Sequence, residues 1–127
     1  MAETGLKILA DSVILIDHFN GITSATEYLS QTQGRLAISV ITRAEVLAGF
    51  EGKDRKLART LLDCFPTLII DRTIADLAAT LRRRYRWKMP DAFQAAIAKH
   101  HKLKLATRDV GDFPPKRHRF VVVPYVL

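Results

Sequence analysis

The sequence predicts an α/β fold, an α/β/α sandwich built around a mainly parallel central sheet. Two observations carry that expectation. Short apolar runs recur at residues 8–10, 36–40, 67–70, 103–106 and 120–123, separated by segments whose apolar residues repeat at helical spacing. The resulting order is β, α, α, β, α, α, β, α, α, β, β. In addition, acidic residues stand just beyond several of the runs, where open α/β sheets keep their sites.

The first run, Ile8-Leu9-Ala10, delivers Asp11 at its end, and Ser12 opens a mostly apolar helix leading to Asp17. A carboxylate beside a core is costly unless something uses its charge. Asn20-Gly21 marks a break, Thr23 or Ser24 is placed to cap the next helix, and Gly34 to end it. The second run ends near Thr42, and Thr42-x-x-Glu45 has the form of a capping box, which would give Glu45 a purely structural role. Leu57, Ala58, Leu61, Leu62 and Phe65 repeat with helical spacing up to Pro66. Asp71 follows the third run, and Thr73-x-x-Asp76 forms a second capping box. The helix after it buries Ile74, Leu77, Ala78, Leu81 and Tyr85 and turns Arg82, Arg83 and Arg86 outward. Pro90 suits a helix entrance, so Asp91 sits in a first turn, either as an answer to the helix dipole or as a site residue. Thr107-Arg108-Asp109 follows the fourth run directly, with Asp112 three residues on.

A chain of 127 residues with 48% apolar residues is expected to form one folded domain over 1–127. No apolar run approaches a bilayer span and residues 1–5 lack the basic start of a signal peptide, so a cytoplasmic protein with no membrane partner is expected. Cys64 is the single cysteine; it excludes a disulfide framework and is expected to pack beside Phe65. The net charge of +7 is uneven. Residues 1–63 carry seven Lys/Arg against eight Asp/Glu, and residues 64–127 carry thirteen against five. A basic second half favours a polyanion, nucleic acid first.

Carboxylates brought together repel, so one must take a proton or a cation must neutralise them. Oxygen donors without cysteine or regular histidine spacing select Mg²⁺ or Mn²⁺ over Zn²⁺. Such an ion supports phosphodiester hydrolysis by activating water and stabilising charge on phosphorus and the leaving oxygen. Asp11 is the first candidate ligand. Ser12, Thr107 and Arg108 are candidates for positioning a ligand or phosphate. His100 and His101 are adjacent on a helix and face different directions, while His18 and His118 lack partners at metal-ligand spacing. His118, beside Arg117 and Arg119, is the one histidine placed to meet a phosphate.

The segments Asp11-Ser12-Val13-Ile14-Leu15-Ile16-Asp17, Ile38-Ser39-Val40-Ile41-Thr42-Arg43-Ala44-Glu45, Pro90-Asp91-Ala92 and Thr107-Arg108-Asp109 resemble the successive acidic motifs of PIN-domain ribonucleases, most closely VapC-like toxins of type II toxin-antitoxin pairs. The resemblance implies a Mg²⁺- or Mn²⁺-dependent endoribonuclease whose acidic set is Asp11, Glu45, Asp91 and Asp109, an RNA substrate, a cognate antitoxin and a homodimer. Two departures stand out. Val13 replaces the usual Asn or Ser two positions after the first acid, and Asp112 is placed to share or take over the fourth acidic role. Asp17 recurs in the first motif, but lies nearly two helical turns from Asp11 and is read as structural or peripheral.

Three other readings compete. One is a PIN-fold module that grips RNA without cutting it. A receiver-like phosphorylation domain would want adjacent acids after the first strand, and only Asp71 fits its pattern. A haloacid-dehalogenase phosphatase needs a second Asp where Val13 stands.

Overall fold

The computed structural model describes residues 5–127, so the amino-terminal segment read for a signal peptide lies, apart from Gly5, outside the described residues. The elements are β1 (Ile8–Ala10), α1 (Ser12–Phe19), α2 (Thr23–Gln31), β2 (Leu36–Ser39), α3 (Val40–Ala48), α4 (Gly52–Leu62), β3 (Thr67–Leu68), α5 (Arg72–Tyr85), α6 (Met89–His100), β4 (Lys104–Ala106) and β5 (Val121–Val122). Their order is the one expected. The five strands form a sheet in the order β3-β2-β1-β4-β5, and every neighbouring pair is parallel.

Alternation along β1 and β2 splits the core into two layers. Leu9 and Ala37 face α5 and α6, packing with Ile74, Ala78, Ala95, Ile97 and Phe113. Ala10, Leu36 and Ile38 face the other way, onto Ile14, Leu15, Leu29, Val46, Ala58 and Leu62 of α1 to α4. Helices therefore cover both faces, as a parallel sheet requires. Ala92, Ala95, Ala96 and Ala98 are fully buried, and their small side chains let α6 lie close against its neighbours. No helix among the described residues is long and apolar enough to cross a membrane.

The local punctuation differs from the expectation in several places. The cap of α3 is Ser39, whose Oγ accepts from the Thr42 N–H at 3.1 Å, so β2 ends one residue earlier and Thr42 lies inside the helix. The cap of α5 is Asp71, which accepts from the Ile74 N–H at 2.9 Å, and the Thr73 box does not form. In both cases a better-placed oxygen three residues before the amide takes the bond. Ile22, with no side-chain cap bond, precedes α2; that helix ends at Gln31, and Gly34 takes φ +87° in the turn before β2. The edge strands β3 and β5 are two residues each, shorter than their apolar runs. Cys64 is exposed beyond the end of α4, its thiol 3.5 Å from the Thr60 carbonyl oxygen, so it does not pack as expected.

Ser39 ties this fold to what lies at its edge: its fully buried hydroxyl also donates to Gln94 Oε1 of α6 at 2.7 Å. Ser39→Ala removes the cap and strands a buried amide oxygen. A loss of about 2 kcal/mol in urea-unfolding stability is expected, and a change within error would show that neither bond matters.

Candidate metal centre

Parallel strands bring their carboxyl ends to one edge, and the sheet fixes the first acid there by its backbone. The Asp11 N–H donates to the Ala106 carbonyl at 2.9 Å, and the Thr107 N–H to that of Val122 at 3.1 Å. Asp11 caps α1, Oδ1 accepting from the Ser12 N–H at 2.9 Å and from Gln94 Nε2 at 3.3 Å, while Oδ2 accepts from Thr107 Oγ1 at 2.7 Å. The carboxyl is 9% exposed. Burial raises its pKa, the bonds from Thr107, Ser12 and Gln94 oppose the rise, and the charge of Glu45 adds to it; the net shift is upward.

Asp11, Ser12, Glu45, Asp91, Arg108 and Asp109 line an open cavity of about 370 Å³. Val13 and Ile16 supply its apolar wall, so Val13 presents methyl groups where a polar contact was the family pattern. Asp91, Asp109 and Asp112 each offer a carboxylate oxygen within 4.8 Å of the others. Asp91 is in the first turn of α6, and the loop after β4 carries the other two. The Asp112 N–H donates to Asp109 Oδ1 at 3.2 Å, and the Asp109 N–H to Thr107 Oγ1 at 3.0 Å, so the loop is internally fixed. Burial first, then the charges of Asp11, Asp112 and Asp109, push the Asp91 carboxyl up to about 7. Asp109 lines the cavity shared with Asp11; Asp112 joins its group from the side.

Glu45 does not reach back to a cap. Its Oε1 accepts the Ser12 hydroxyl at 2.5 Å, which aims it at the same cavity. Ser12 has one proton and gives it to Glu45, so it orients one of the candidate ligands. Thr107 likewise spends its hydroxyl on Asp11. Arg108 stands at the cavity, but its guanidinium is forked onto Asp17, Nε to Oδ2 at 2.6 Å and Nη2 to Oδ1 at 2.8 Å. That pair holds the Asp17 carboxyl below its ordinary range, and the Tyr125 hydroxyl donates to it as well. Asp17 is structural, as expected.

Two buried residues of the site were not singled out. Gln94 donates to Asp11 and, at 2.8 Å, to Thr42 Oγ1, and accepts from Ser39. Thr42 is within 3.2 Å of Ser12 Oγ. A lone amide beside Ala95, Ala96, Ile97 and Ala98, one turn after Asp91, was the available signal for Gln94. His118 is 6% exposed and packs among Tyr85, Trp87 and Phe120, on the wall of a second cavity that Arg117 also lines. The rings of His100 and His101 meet edge-on at 5.0 Å rather than diverging, and His18 bonds Thr26.

The donor set is oxygen only, its acids crowd one another, and one carboxyl titrates near neutrality. It fits a hard divalent cation.

This fold and acidic edge define a PIN domain, and the chain belongs to the PIN domain family, which it matches over residues 8–114. It is 36% identical over 114 residues to ribonuclease VapC10 of Mycobacterium tuberculosis, covering 84% of this chain and 86% of that protein. Among solved structures it is similar to a toxin-antitoxin complex from Klebsiella pneumoniae, with a TM-score of 0.86, 36% identity and coverage of 95% of this chain and 100% of that one. FitAcB from Neisseria gonorrhoeae gives a TM-score of 0.78 at 25% identity, over 94% of this chain and 99% of that one.

The Asp91 shift makes a signed statement about metal-free protein. Its stability contribution is fully present below the unfolded pKa of 3.8 and is lost as pH rises to about 7. His101 and His118, whose pKa values burial lowers, act in the opposite direction, so the comparison must be with Asp91→Asn. In EDTA, the melting temperature of Asp91→Asn relative to the native chain should climb between pH 4 and pH 7 and then level. A difference that stays flat across that range would contradict the crowded-acid geometry.

Proposed function

We propose that the chain, acting as a single domain over residues 1–127, is a divalent-metal-dependent endoribonuclease and the toxin of a type II toxin-antitoxin pair. Its ion is Mg²⁺ or Mn²⁺. The observation that carries the reading is the convergence of Asp11, Glu45, Asp91 and Asp109 on one cavity, with oxygens of Asp91, Asp109 and Asp112 within 4.8 Å of one another, while Arg108 at that cavity is committed to Asp17. Family membership supports an RNA substrate through the relative named a ribonuclease, and the toxin-antitoxin complex supports a cognate antitoxin. The same reading has the protein work in the cytoplasm as a homodimer.

Asp11, Glu45, Asp91 and Asp109 would hold the ion, with Asp112 as an auxiliary acid. A bound divalent cation supplies a water of lowered pKa and neutralises charge growing on the phosphodiester. The protein's own work is preorganisation. Thr107, Gln94 and the Ser12 amide fix both Asp11 oxygens, and the Ser12 hydroxyl fixes Glu45. Those acids then need no reorganisation when substrate arrives. The Arg108–Asp17 pair anchors the loop that carries Asp109.

Purified protein incubated with mixed cellular RNA should cut it with Mg²⁺ or Mn²⁺ and not with EDTA. Asp11→Asn should lower the rate at least about a hundredfold. Equal RNA binding by both proteins with no cutting by either would instead establish a binding module.

A further inference from the structure

Asp112, whose carboxylate lies with those of Asp91 and Asp109, also lines a second cavity of about 260 Å³. Arg84, Arg86 and Arg117 line it too. Arg86 follows the last turn of α5 with φ 59°, in the left-handed region. Glycine is the usual residue at such a helix end, because a Cβ is disfavoured there. The helix end does not require the arginine side chain. It is closed by the Arg86 N–H donating to the Arg82 carbonyl at 2.7 Å and by Arg82 Nη1 donating to the Trp87 carbonyl at 2.6 Å. The sequence therefore keeps a long cation on a backbone position that disfavours it, and that side chain forms cavity wall.

The platform beneath is rigid. Trp87 is 4% exposed, stacks on Tyr85 and donates from Nε1 to the Asp112 carbonyl at 2.9 Å, which joins the basic cavity to the acidic loop. Among the described residues no carboxylate is ion-paired with Arg84, Arg86 or Arg117. A strand of nucleic acid laid with one phosphate at the acids must bring the next close by, and acids alone would repel it. Three guanidiniums beside Asp112 offset that repulsion, and guanidinium is suited to bidentate phosphate contact.

We propose that Arg84, Arg86 and Arg117 form a phosphate subsite that holds a backbone phosphate of the RNA adjacent to the bond being cut. The assignment rests on the nuclease reading above and extends it to where the strand runs.

Arg86→Gly separates this role from folding, since it removes the cation while giving the backbone its preferred residue. Its melting temperature should equal or exceed that of the native chain. Binding of a short fluorescent single-stranded RNA, measured by anisotropy in EDTA so that nothing is cut, should weaken about tenfold. In Mg²⁺ or Mn²⁺, KM should rise by a similar factor. Replacing all three arginines (Arg84→Ala, Arg86→Gly, Arg117→Ala) should lower the slope of log affinity against log salt by about 0.7, the value for one phosphate of a single strand. A triple variant Lys53→Gln, Arg55→Gln, Lys56→Gln loses the same charge from the exposed side of α4, on the other face of the sheet, and should bind far more nearly like the native chain. Native-like RNA binding by Arg86→Gly and Arg117→Ala, or equal losses in the two triple variants, would overturn the subsite and leave the cations to an acidic protein partner. If the native chain cuts no RNA at all, the nuclease reading fails by itself, and the anisotropy comparison still decides the subsite.

Discussion

A carboxylate held at the buried end of a central strand sets the terms for everything around it. Taking an ion of that kind out of water costs several kcal/mol, and each hydrogen bond to a charged group returns about 1.5–3 kcal/mol. Asp11 receives bonds from Thr107, Gln94 and the Ser12 amide, yet its pKa still moves upward, so desolvation together with the Glu45 charge outweighs the bonds. Asp91, on the more open side of the cavity, moves the same way with nothing opposing it, through burial and the charges of Asp11, Asp112 and Asp109. The protein thus maintains a set of acids whose mutual repulsion its own donors do not cancel. A divalent cation would neutralise such a set.

The sheet makes this possible by topology. With β1 at the centre of five parallel strands, the loops after β1 and β4 and the start of α3 open on one edge. α6 runs back toward that edge with its first turn, so Asp91 arrives from a helix start rather than a strand end. Gln94, just past the first turn of α6, and Thr42, in the first turn of α3, meet beneath the acids and lock the two helices to Asp11. Packing and site are therefore one network: Ser39 caps α3, and the same hydroxyl orients Gln94.

Strong periodicity made the framework legible. β1, its terminal Asp11 and the start of α1 at Ser12 follow from three apolar residues and one acid, and the order of all the elements follows from the alternation of apolar runs with helical spacing. Competition among short polar side chains was less legible. Thr42 and Thr73 satisfy the capping pattern as text, but Ser39 and Asp71 lie better along the chain path, and only coordinates reveal which oxygen reaches the amide. The side-chain partners of Ser12, Thr107 and Arg108 were hidden for a related reason. Each sits where expected, beside the acids, but which carboxylate each one holds, Glu45, Asp11 or Asp17, is set by contacts between distant segments. Gln94 and the Asp112–Trp87 junction depend on contacts between distant segments, which spacing along one chain does not encode.

The central claim is that these acids are a metal site rather than an acidic surface. It is tested most directly by titrating Mn²⁺ into metal-free protein at pH 7.5 and following the free ion by its paramagnetic resonance, with the native chain and Asp11→Asn side by side. Saturable binding that Mg²⁺ displaces and that Asp11→Asn loses is the result expected. Equal, weak and unsaturating uptake by both proteins would contradict the account.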